Sequence, residues 1–591
     1  MTGVVGFTVA NGGSEEDVRK LNAMWNLIAG ESKSDVVDLH RDEHIVCAFD
    51  RPNVSTECAA YIGEDVAVWL DGDIFDFGTS LKRLDPEANA ASVIAGLYRR
   101  DGLEVFKAID GVFAVVIYDR ARKELHLVND RYGLRQLYIW RSTNGGVVWA
   151  SKLRAFLEAP GFTPRIDHSA LHDFIEIGYM TEDRSWFEGV TLLPSASLLT
   201  WDIRGQGITL QRYWWWDKIK LLGGRINEDE IAEELGNCFV DAVKRRVRPN
   251  ERAGLFLSGG LDSRAILAAM PDDSDPVHVA TFGMDGCLDR ILAARAANVR
   301  GAVSHQFALD EKNWLAPRID NIWLSDGQFD LMHMQGLEVV SLMRRHFNIN
   351  ISGFGGDSTL GGSYLRQETL DCPITAERAA KFMGCSPSRL DIGSQYSSLN
   401  KLDYYFLQNR VRRFLYGSLS LSTPLGLPCR MPFYDNRLIE LVYSLPDALR
   451  FSSRIYRRML LRRFPDYFKS IPWQKTGVPI GYPDKLTKLI QYGKRVRRKL
   501  SVLTEGLVAN PYALQGFADY DGWIRNEPAR SFFGELFSNP EALYPAYLPR
   551  ETVKSCWDDH LAGKNNSQSL SRYATFEIWL QQAFGGRMRP V

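Results

Sequence analysis

Ser258-Gly259-Gly260-Leu261-Asp262-Ser263 is the stretch that indicates the fold of the larger part of this chain. Residues 253–257 before it are apolar and predict a short buried strand, and residues 264–270 after it predict a helix. A tight turn between a strand and a helix directs backbone N–H groups to one spot, where the positive end of the helix dipole favours an anion. Two glycines let a phosphate approach the backbone, and an Asp in such a site requires a divalent cation between its carboxylate and the phosphate. The turn therefore predicts a binding site for a nucleotide phosphate and its metal ion.

Bulk composition excludes several classes of protein. The chain has 591 residues, of which 45% are hydrophobic, and this suits two to four domains. A formal net charge of −1 argues against a generally basic nucleic-acid binder. The eight cysteines form no CxxC pair, which argues against a cysteine zinc site or a disulfide framework and favours the cytoplasm. Because no apolar run reaches about 18 residues, we expect no membrane span.

The pattern of the chain changes near residue 215. Residues 1–215 contain short β-rich segments bounded by turn residues, and helical patterns at 91–99 and 103–108. The predicted strands are 4–9, 45–49, 66–70, 111–118, 124–129, 136–140 and 147–150. From about Glu228, helices alternate with short apolar strands such as 277–282 and 349–352, which is typical of a doubly wound α/β sheet. We expect the tryptophans at 214–216 to lie in the core at the junction.

A second strand-to-glycine turn ends in an acid, Ile351-Ser352-Gly353-Phe354-Gly355-Gly356-Asp357. In isolation, such an Asp is more often a turn or cap residue than a ligand. Two loops of this kind, each with one Asp, suit a single metal ion bound between Asp262 and Asp357. The pair therefore predicts one divalent metal ion at the phosphate site.

These motifs resemble the asparagine synthetase B superfamily over nearly the whole chain. The first loop is similar to the SGGxDS loop of the N-type ATP pyrophosphatases, which implies ATP and Mg²⁺ as cofactors. Residues 71–76, 110–119 and 129–138 are similar to motifs of the family's glutaminase domain, and residues 431–437 and 473–477 to motifs of its synthetase domain. The resemblance implies an α+β N-terminal glutaminase-like (Ntn-type) αββα sandwich over 1–215. It implies a C-terminal α/β doubly wound ATP-pyrophosphatase domain with added helices over 216–591.

The residues that hydrolyse glutamine in this family are replaced here. The nucleophilic Cys after the initiator Met is Thr2, and the Arg-Gly-Pro segment that helps to bind glutamine has no counterpart in 38–53. The Asn-Gly that supplies an oxyanion donor is Asp71-Gly72, whose carboxylate would repel a developing oxyanion. The Gly-Ser-Asp that pairs with the glutamine amine is missing around 89–92. We therefore expect a domain that has kept its fold and lost its chemistry, so that the amine comes from the substrate or from solution.

The second loop also disfavours two well-known activities of the family. Asparagine synthetases have Gly-Glu-Gly-x-Asp-Glu there, whereas Phe354 and Ser358 stand at the two Glu positions of this chain. β-Lactam synthetase has a Tyr at the first position, partnered by a Glu, and Phe354 cannot relay a proton; we interpret it as a packing residue. Residues 404–414 and 464–479 look most like the lasso-peptide cyclases.

That resemblance implies a lasso-peptide cyclase. Such an enzyme adenylates an Asp or Glu side chain of a precursor core peptide, and the peptide's N-terminal amine then closes a macrolactam ring with release of AMP and pyrophosphate. The implied partners are the precursor peptide, a leader-binding protein and a leader peptidase. The alternatives are a small-molecule amide or β-lactam-type synthetase and an ammonia-dependent asparagine synthetase-like ligase. An RNA-binding pyrophosphatase and an inactive scaffold are disfavoured.

The resemblance also assigns roles to individual residues. Lys475 aligns with the family lysine that neutralises negative charge on the α-phosphate and the acyl intermediate, and Asp262 and Asp357 are assigned to catalysis and to the metal. Asp289 and His305 stand where the family has similar residues near the nucleotide. The predicted nucleotide-binding residues are Leu257, Ser258, Gly259, Gly260, Leu261, Asp262, Ser263, Phe282, Gly283, Ser352, Gly353 and Arg458. The general base is left open among Glu338, Glu440, Asp435 and the peptide itself.

Overall fold

A computed structural model describes residues 3–9, 12–29, 37–50, 58–78, 89–142, 145–205, 207–390, 392–503 and 516–586. Thr2 and part of the 38–53 segment therefore lie outside the described residues. The strands are β1 (Val4–Thr8), β2 (Val37–Arg41), β3 (Ile45–Asp50), β4 (Cys58–Ile62), β5 (Val66–Asp76), β6 (Asp110–Asp119), β7 (Glu124–Asn129), β8 (Tyr138–Arg141), β9 (Val147–Ala150), β10 (Val190–Leu192), β11 (Ser197–Asp202), β12 (Gly207–Arg212), β13 (Ala253–Phe256), β14 (His278–Gly283), β15 (Val303–Ala308), β16 (Ile349–Ile351) and β17 (Cys429–Arg430).

The helices follow the same numbering in chain order. They are α1 (Glu15–Ala29), α2 (Ala90–Asp101), α3 (His168–Ile177), α4 (Glu228–Arg245), α5 (Leu261–Ala269), α6 (Leu288–Arg300), α7 (Ala316–Asp320), α8 (Leu337–Met343), α9 (Gly356–Thr359), α10 (Ala376–Met383), α11 (Asp403–Phe406), α12 (Tyr416–Ser420), α13 (Asn436–Ser444), α14 (Asp447–Arg450), α15 (Arg454–Arg463), α16 (Pro465–Phe468), α17 (Asp484–Leu503), α18 (Tyr520–Arg525), α19 (Ala529–Ser538), α20 (Arg550–Leu561) and α21 (Ser567–Ala583). A π-helix, Leu407–Leu415, joins α11 to α12.

The N-terminal half is a sandwich of two antiparallel sheets. One sheet has the order β10-β8-β9-β1-β3-β2 and the other β12-β11-β7-β6-β5-β4. Alternation along β5 explains why both of its faces are buried: Ala67 and Trp69 face the first sheet, while Val66, Val68 and Leu70 pack under α2. Helix α1 covers the outer face of the first sheet. The layers are therefore helix, sheet, sheet and helix, as the resemblance implied.

The second half is built on a five-stranded parallel sheet with the order β15-β14-β13-β16-β17. The chain proceeds from β13 outward to β15 in one direction, and then returns to place β16 on the other side of β13. Ligands of doubly wound sheets bind at such a reversal, beyond the carboxyl ends of the strands. The loops after β13 and β16, which carry the two glycine motifs, meet at this position.

The two halves share a buried interface. Trp216 is 1% exposed and stacks on Tyr404 with ring centroids 4.7 Å apart, which confirms the prediction that the tryptophans lie in the core. Charged groups cross the interface as well: Arg430 donates to Asp73 at 2.8 Å, and Arg412 donates to Asp183 at 2.8 Å.

The last strand of the sandwich ends at Arg212 and α4 begins at Glu228, so the predicted division at 215/216 falls between them. None of the helices in the described ranges is long and apolar enough to cross a membrane.

Candidate active site

The turn from β13 to α5 forms a compact loop held by its own side chains. Ser263 Oγ accepts from the N–H of Ser258 at 3.0 Å, and Ser258 Oγ accepts from the N–H of Gly260 at 3.2 Å. Gly260 is the N-cap residue of α5, and it has no side chain with which to cap the helix. The first N–H groups of α5 therefore stay available to an anion, with the helix dipole behind them.

The loop after β16 lies directly against this turn. A Cβ on Gly353 would stand 2.6 Å from the backbone nitrogen of Ser263, and one on Gly356 would stand 2.5 Å from Cγ of Asp262. Side chains at these two positions would push the loops apart. The glycines of the second motif are thus explained by this close approach of two backbones.

Asp262 and Asp357, the two predicted metal ligands, are brought together by this contact. The backbone N–H of Asp357 donates to Asp262 Oδ2 at 2.9 Å, and the Tyr456 hydroxyl donates to Asp262 Oδ1 at 2.7 Å. Burial and the neighbouring carboxylate raise the pKa of Asp262, and partial desolvation raises the pKa of Asp357. Within the described ranges neither carboxylate forms an ion pair. Two adjoining carboxylates of this kind fit a Mg²⁺ ion, which prefers oxygen ligands and would neutralise their charge.

Lys475 occupies a turn that is fastened to the phosphate loop. The turn is closed by an N–H of Trp473 that donates to Val478 O at 2.9 Å, and the exposed Lys475 Nζ lies 5.4 Å from the Trp473 ring centroid. The positive charge of Lys475 lowers the pKa of Asp357, although desolvation outweighs it. Lys475 is therefore within electrostatic reach of the aspartate pair.

Asp289 and Gln474 make the connection between the two loops. Asp289 Oδ1 accepts from the N–H of Gly259 at 2.8 Å, and its Oδ2 accepts from Gln474 Nε2 at 2.7 Å. The sequence placed Asp289 near the nucleotide, but it carried no signal for the bridge or for Tyr456. Residues 456 and 474 are too distant along the chain from residues 259–289 for any local pattern to link them.

The remaining predicted nucleotide-binding residues lie at the carboxyl ends of three adjacent strands. Leu257 is buried and its N–H donates to Ala280 O at 2.8 Å; Ser352 Oγ accepts from the N–H of Phe354 at 3.1 Å. Phe282 lies at the end of β14, with its ring centroid 6.1 Å from that of Phe517.

Gly283 follows Phe282 and has a φ of +153°, and a Cβ on Gly283 would stand 2.8 Å from Cys287 Sγ. Together with Leu261, which begins α5, these residues line the same edge of the sheet as the phosphate loop.

Two predicted residues are not part of this assembly. Arg458 was expected to meet a phosphate, but its guanidinium donates to Asp229 at 3.0 and 2.8 Å and lies on the far side of α15. The reason is helical phase, since Tyr456 faces the site and a residue two positions later points away from it. His305 lies within β15 opposite Ala280, and contacts His278 rather than the loop.

The three protein candidates for a general base are all held by arginines. Glu338 accepts from Arg318 at 2.5 Å, and Glu440 pairs with Arg131 of the N-terminal half. Asp435 is fully buried and pairs with Arg245 and Arg246.

These two arginines hold the pKa of Asp435 below its usual value despite its burial. The carboxylates of Glu338, Glu440 and Asp435 thus have structural partners.

Phe354 packs against aromatic neighbours, as predicted. Its ring is stacked on Tyr434, with centroids 5.9 Å apart and an interplanar angle of 18°. Tyr434 is itself buried. No proton relay passes through this position.

In the N-terminal half, the carboxylate of Asp71 is fully buried and bound on both oxygens. It pairs with Arg135, and Ser151 Oγ donates to it at 2.7 Å while accepting the N–H of Val4 at 3.0 Å. An ionised carboxylate is an acceptor only, and cannot stabilise an oxyanion as the family's Asn does.

Comparison with known proteins places the chain in a family. The glutamine amidotransferase domain family matches residues 1–214, and the asparagine synthase family matches residues 234–581, which is more than half of the chain. This chain belongs to the asparagine synthase family. By that membership it is an ATP-dependent carbon–nitrogen ligase.

Individual relatives are distant. A putative glutamine-hydrolysing asparagine synthetase 2 of Methanocaldococcus jannaschii is 23% identical over 68% of this chain and 74% of its own length. The mouse asparagine synthetase is 23% identical over 67% of this chain and 68% of its own. A putative asparagine synthetase of Mycobacterium tuberculosis is 26% identical, but the match spans only 44% of that protein.

One solved structure similar to this chain is a glutamine phosphoribosylpyrophosphate amidotransferase from B. subtilis. The two chains are 11% identical, and the likeness covers 51% of this chain and 65% of the other, with a TM-score of 0.24. A score this low carries no argument about the site.

Proposed function

We propose that this member of the asparagine synthase family is a lasso-peptide macrolactam cyclase. In the first step, a side-chain carboxylate oxygen of an Asp or Glu in the peptide bonds to the α-phosphorus of ATP, and pyrophosphate leaves. In the second step, the peptide's N-terminal amine forms the carbon–nitrogen bond, AMP leaves with the carboxylate oxygen, and the nitrogen loses a proton. The product is a ring closed by an isopeptide bond.

The observation that carries this proposal is the contrast between the two halves. The activating residues of the second half are assembled, since Asp262, Asp357 and Lys475 converge at the switch point of the sheet. In the first half, Asp71 stands where glutamine hydrolysis needs an oxyanion donor. An enzyme that can activate a carboxylate but cannot release ammonia from glutamine must receive its amine from the substrate or from solution, and in a cyclase the peptide supplies it.

The roles of the residues follow from their placement. Ser258, Gly259, Gly260 and Ser263 would hold the pyrophosphate end of ATP, with Asp262 and Asp357 around a Mg²⁺ ion. That ion, when bound, neutralises phosphate charge and favours departure of pyrophosphate. Lys475 would stabilise the negative charge that develops on the α-phosphate and on the tetrahedral acyl carbon.

An exposed apolar strip on helix α17 supports a peptide substrate. The helix exposes large apolar side chains, with Leu489 at 66% and Tyr492 at 65%. An exposed apolar strip of this kind suits contact with a peptide or protein better than with a small polar acid. Lys494, which lies against Gly477 in the Lys475 turn, is on a different face of the helix.

The proposed partners follow from the reaction. Attack by the N-terminal amine of the core requires that a leader peptidase has first exposed it, and a leader-binding protein would deliver the precursor. The enzyme must also hold the peptide tail through the forming ring, so orientation is as important as activation. We propose that these steps take place in the cytoplasm.

A second candidate is an ammonia- or small-amine-dependent ligase of a small acid, including a β-lactam-type synthetase. It is favoured by the relatives, several of which carry the name asparagine synthetase and match two thirds of this chain. It is disfavoured by Phe354 and Ser358, which remove both acids of the second loop.

Pyrophosphate exchange into ATP separates the two candidates. The wild-type protein is incubated with Mg²⁺, ATP and labelled pyrophosphate, and with either leader-free precursor peptides encoded beside the gene or Asp, Glu and other small acids. We expect exchange with a peptide that has an internal Asp or Glu, whether or not its N-terminus is free, and none with the small acids. Exchange with a small acid alone would contradict the cyclase and favour the second candidate.

A further inference from the structure

Three histidines from different elements meet at the amino end of the parallel sheet. His278 begins β14, His305 lies in β15, and His346 lies in the turn between α8 and β16. These are three of the ten histidines in the 591-residue chain. The phosphate loop is at the opposite, carboxyl end of the same strands. The cluster therefore has no part in the proposed ATP site.

The ring nitrogens of the cluster are close together. His278 Nδ1 lies 3.0 Å from His305 Nε2, and the two rings are nearly parallel, with an interplanar angle of 15°. The ring of His346 lies over His305, with centroids 4.0 Å apart. One nitrogen from each ring falls within 4.8 Å of the other two. We propose that His278, His305 and His346 bind a divalent transition-metal ion, Zn²⁺ in the first instance.

The three imidazoles are also accessible to an ion. All three side chains are half-buried, which leaves the site open to an ion from solution.

Binding requires only small movements. Zn–N bonds of about 2.0–2.1 Å in a tetrahedron place ligand nitrogens about 3.3 Å apart. His278 and His305 would separate by a few tenths of an ångström as the ion replaces the hydrogen bond between them. The ring of His346 must turn to direct a nitrogen at the same point. Water would fill the fourth position, as in sites with three protein ligands.

The neighbouring charge limits the affinity. Arg252 is near enough to lower the pKa of His278, and it also holds the turn through a bond from its guanidinium to Arg345 O at 3.1 Å. A cation at this distance repels the metal ion. We therefore expect weaker binding than at a closed site with four protein ligands. We expect the bound ion to stabilise the fold, because it would link β14, β15 and the turn before β16 to one another.

Co²⁺ is the first probe, because its visible d–d absorption reports coordination in the unmodified protein. The full chain is titrated with Co²⁺ and then Zn²⁺, without ATP and in excess Mg²⁺, so that the aspartate pair does not compete. We expect one Co²⁺ per chain with a tetrahedral or five-coordinate spectrum, displacement by Zn²⁺, and a higher melting temperature with Zn²⁺. Sulfur-to-metal charge-transfer bands would assign the ion to cysteines and contradict the proposal.

Variants test the ligands individually. His278→Ala and His346→Ala should each weaken Zn²⁺ binding at least tenfold and abolish the Zn²⁺-dependent rise in melting temperature. His168→Ala removes an exposed histidine outside the cluster, and should change neither the Zn²⁺ affinity nor the Zn²⁺-dependent rise in melting temperature. Equal Zn²⁺ affinity in wild type and His346→Ala would overturn the three-histidine site. If a variant does not fold, X-ray absorption of the wild-type Zn²⁺ complex decides the matter, since fewer than three histidine ligands contradicts the proposal.

Discussion

At the scale of the residue, Tyr456 is the side chain that orients Asp262. Its hydroxyl is buried and donates to Asp262 Oδ1 at 2.7 Å, so it selects one carboxylate orientation beside the phosphate loop. We predict that Tyr456→Phe keeps the fold and lowers the rate of pyrophosphate exchange about 10- to 100-fold, which is the usual cost of removing a group that orients a metal ligand.

A matched control exists in the N-terminal half. The hydroxyl of Tyr98 donates to Asp119 at 2.8 Å, also in a buried setting but far from the nucleotide. Tyr98→Phe should leave pyrophosphate exchange unchanged. Equal exchange rates in Tyr456→Phe and wild type would show that Asp262 needs no orienting partner.

Lys475 is predicted to act by its charge. Lys475→Gln removes the charge and keeps most of the side chain, and we expect product formation to fall by about 100-fold or more, as for other groups that stabilise developing negative charge. The measurement is single-turnover release of AMP. Lys469→Gln, an exposed lysine on the same segment, is the control and should have no effect. A mild effect of Lys475→Gln on AMP release, within threefold, would remove Lys475 from the chemistry.

Residues of the site could be predicted from the sequence to different degrees. Asp262 and Asp357 could be predicted because each follows a strand of a parallel sheet, and the carboxyl ends of neighbouring strands lie at the same edge. Arg458 pairs with Asp229 on another face of α15, and this direction depends on the phase of the helix, which a motif does not give. Tyr456 and Gln474 were missed because only the tertiary fold brings them to the loop.

At the scale of the element, the contact between the two glycine loops is testable. Gly353→Ala places a Cβ 2.6 Å from the backbone nitrogen of Ser263, and backbone cannot yield as a flexible side chain can. Overpacking costs about 1–3 kcal/mol, so we predict that ATP affinity falls about tenfold or more, as measured by calorimetric titration. Gly96→Ala in α2 meets no atom within 4 Å and should stabilise the fold slightly. Unchanged ATP affinity in Gly353→Ala would contradict the tight contact.

Strand β7 carries a buried histidine that makes the sandwich sensitive to acid. His126 is 1% exposed and bonds to Thr200 Oγ1 at 2.9 Å; burial lowers its pKa from 6.5 to about 4. The unfolded chain takes up a proton below about pH 6.5 and the folded chain does not, so folding stability falls between pH 6.5 and pH 4 by about 3 kcal/mol from this group.

The test compares the free energy of unfolding of His126→Gln and wild type in urea at several pH values. We predict that the difference between them shrinks as the pH falls from 7 to 4, since the variant has no imidazole to protonate. The exposed His168→Gln is the control for the loss of an imidazole at the surface. A constant difference for His126→Gln would contradict the lowered pKa.

Elements with strong periodicity were predictable and others were not. The long strands β5 and β6 appear in the sequence as β-rich runs because both of their faces are buried. Strand β12 was not predicted, because it is mostly exposed and has few apolar residues to signal it. The π-helix over Leu407–Leu415 was not predicted either, and its contacts with the N-terminal half, among them Arg412 with Gly133 O at 3.1 Å, have no signal in the local sequence.

At the scale of the whole molecule, buried ion pairs join the two halves. Asp73 is 5% exposed and accepts from Arg430 at 2.8 Å and from Arg248 at 2.6 Å. Asp73→Asn removes the carboxylate charge that pairs with Arg248 and Arg430, although Arg430 keeps its pair with Glu251, so we predict a loss of about 3 kcal/mol of unfolding free energy in urea. Asp76→Asn breaks a pair with the largely exposed Arg437 and should cost less than about 1 kcal/mol. Equal losses would show that the interface does not depend on buried charge.

The fold class of both halves was predictable from the sequence, because alternating strands and helices leave few packing arrangements and the motif resemblance covers nearly the entire chain. The interface was predictable only as a run of tryptophans. Its arginine–aspartate pairs join residues more than a hundred positions apart, and no pattern along the chain connects them.

The central claim is that this ligase closes a ring within a peptide, and the mass of the product tests it most directly. Leader-free precursor peptides encoded beside the gene are incubated with ATP, Mg²⁺ and wild-type protein, Asp262→Ala or Lys475→Ala. We predict the loss of one water from the peptide with wild type only, one AMP per ring, and a product that resists carboxypeptidase because its tail is threaded. Formation of AMP with an unchanged peptide, or an equal mass change in both variants, would contradict the claim.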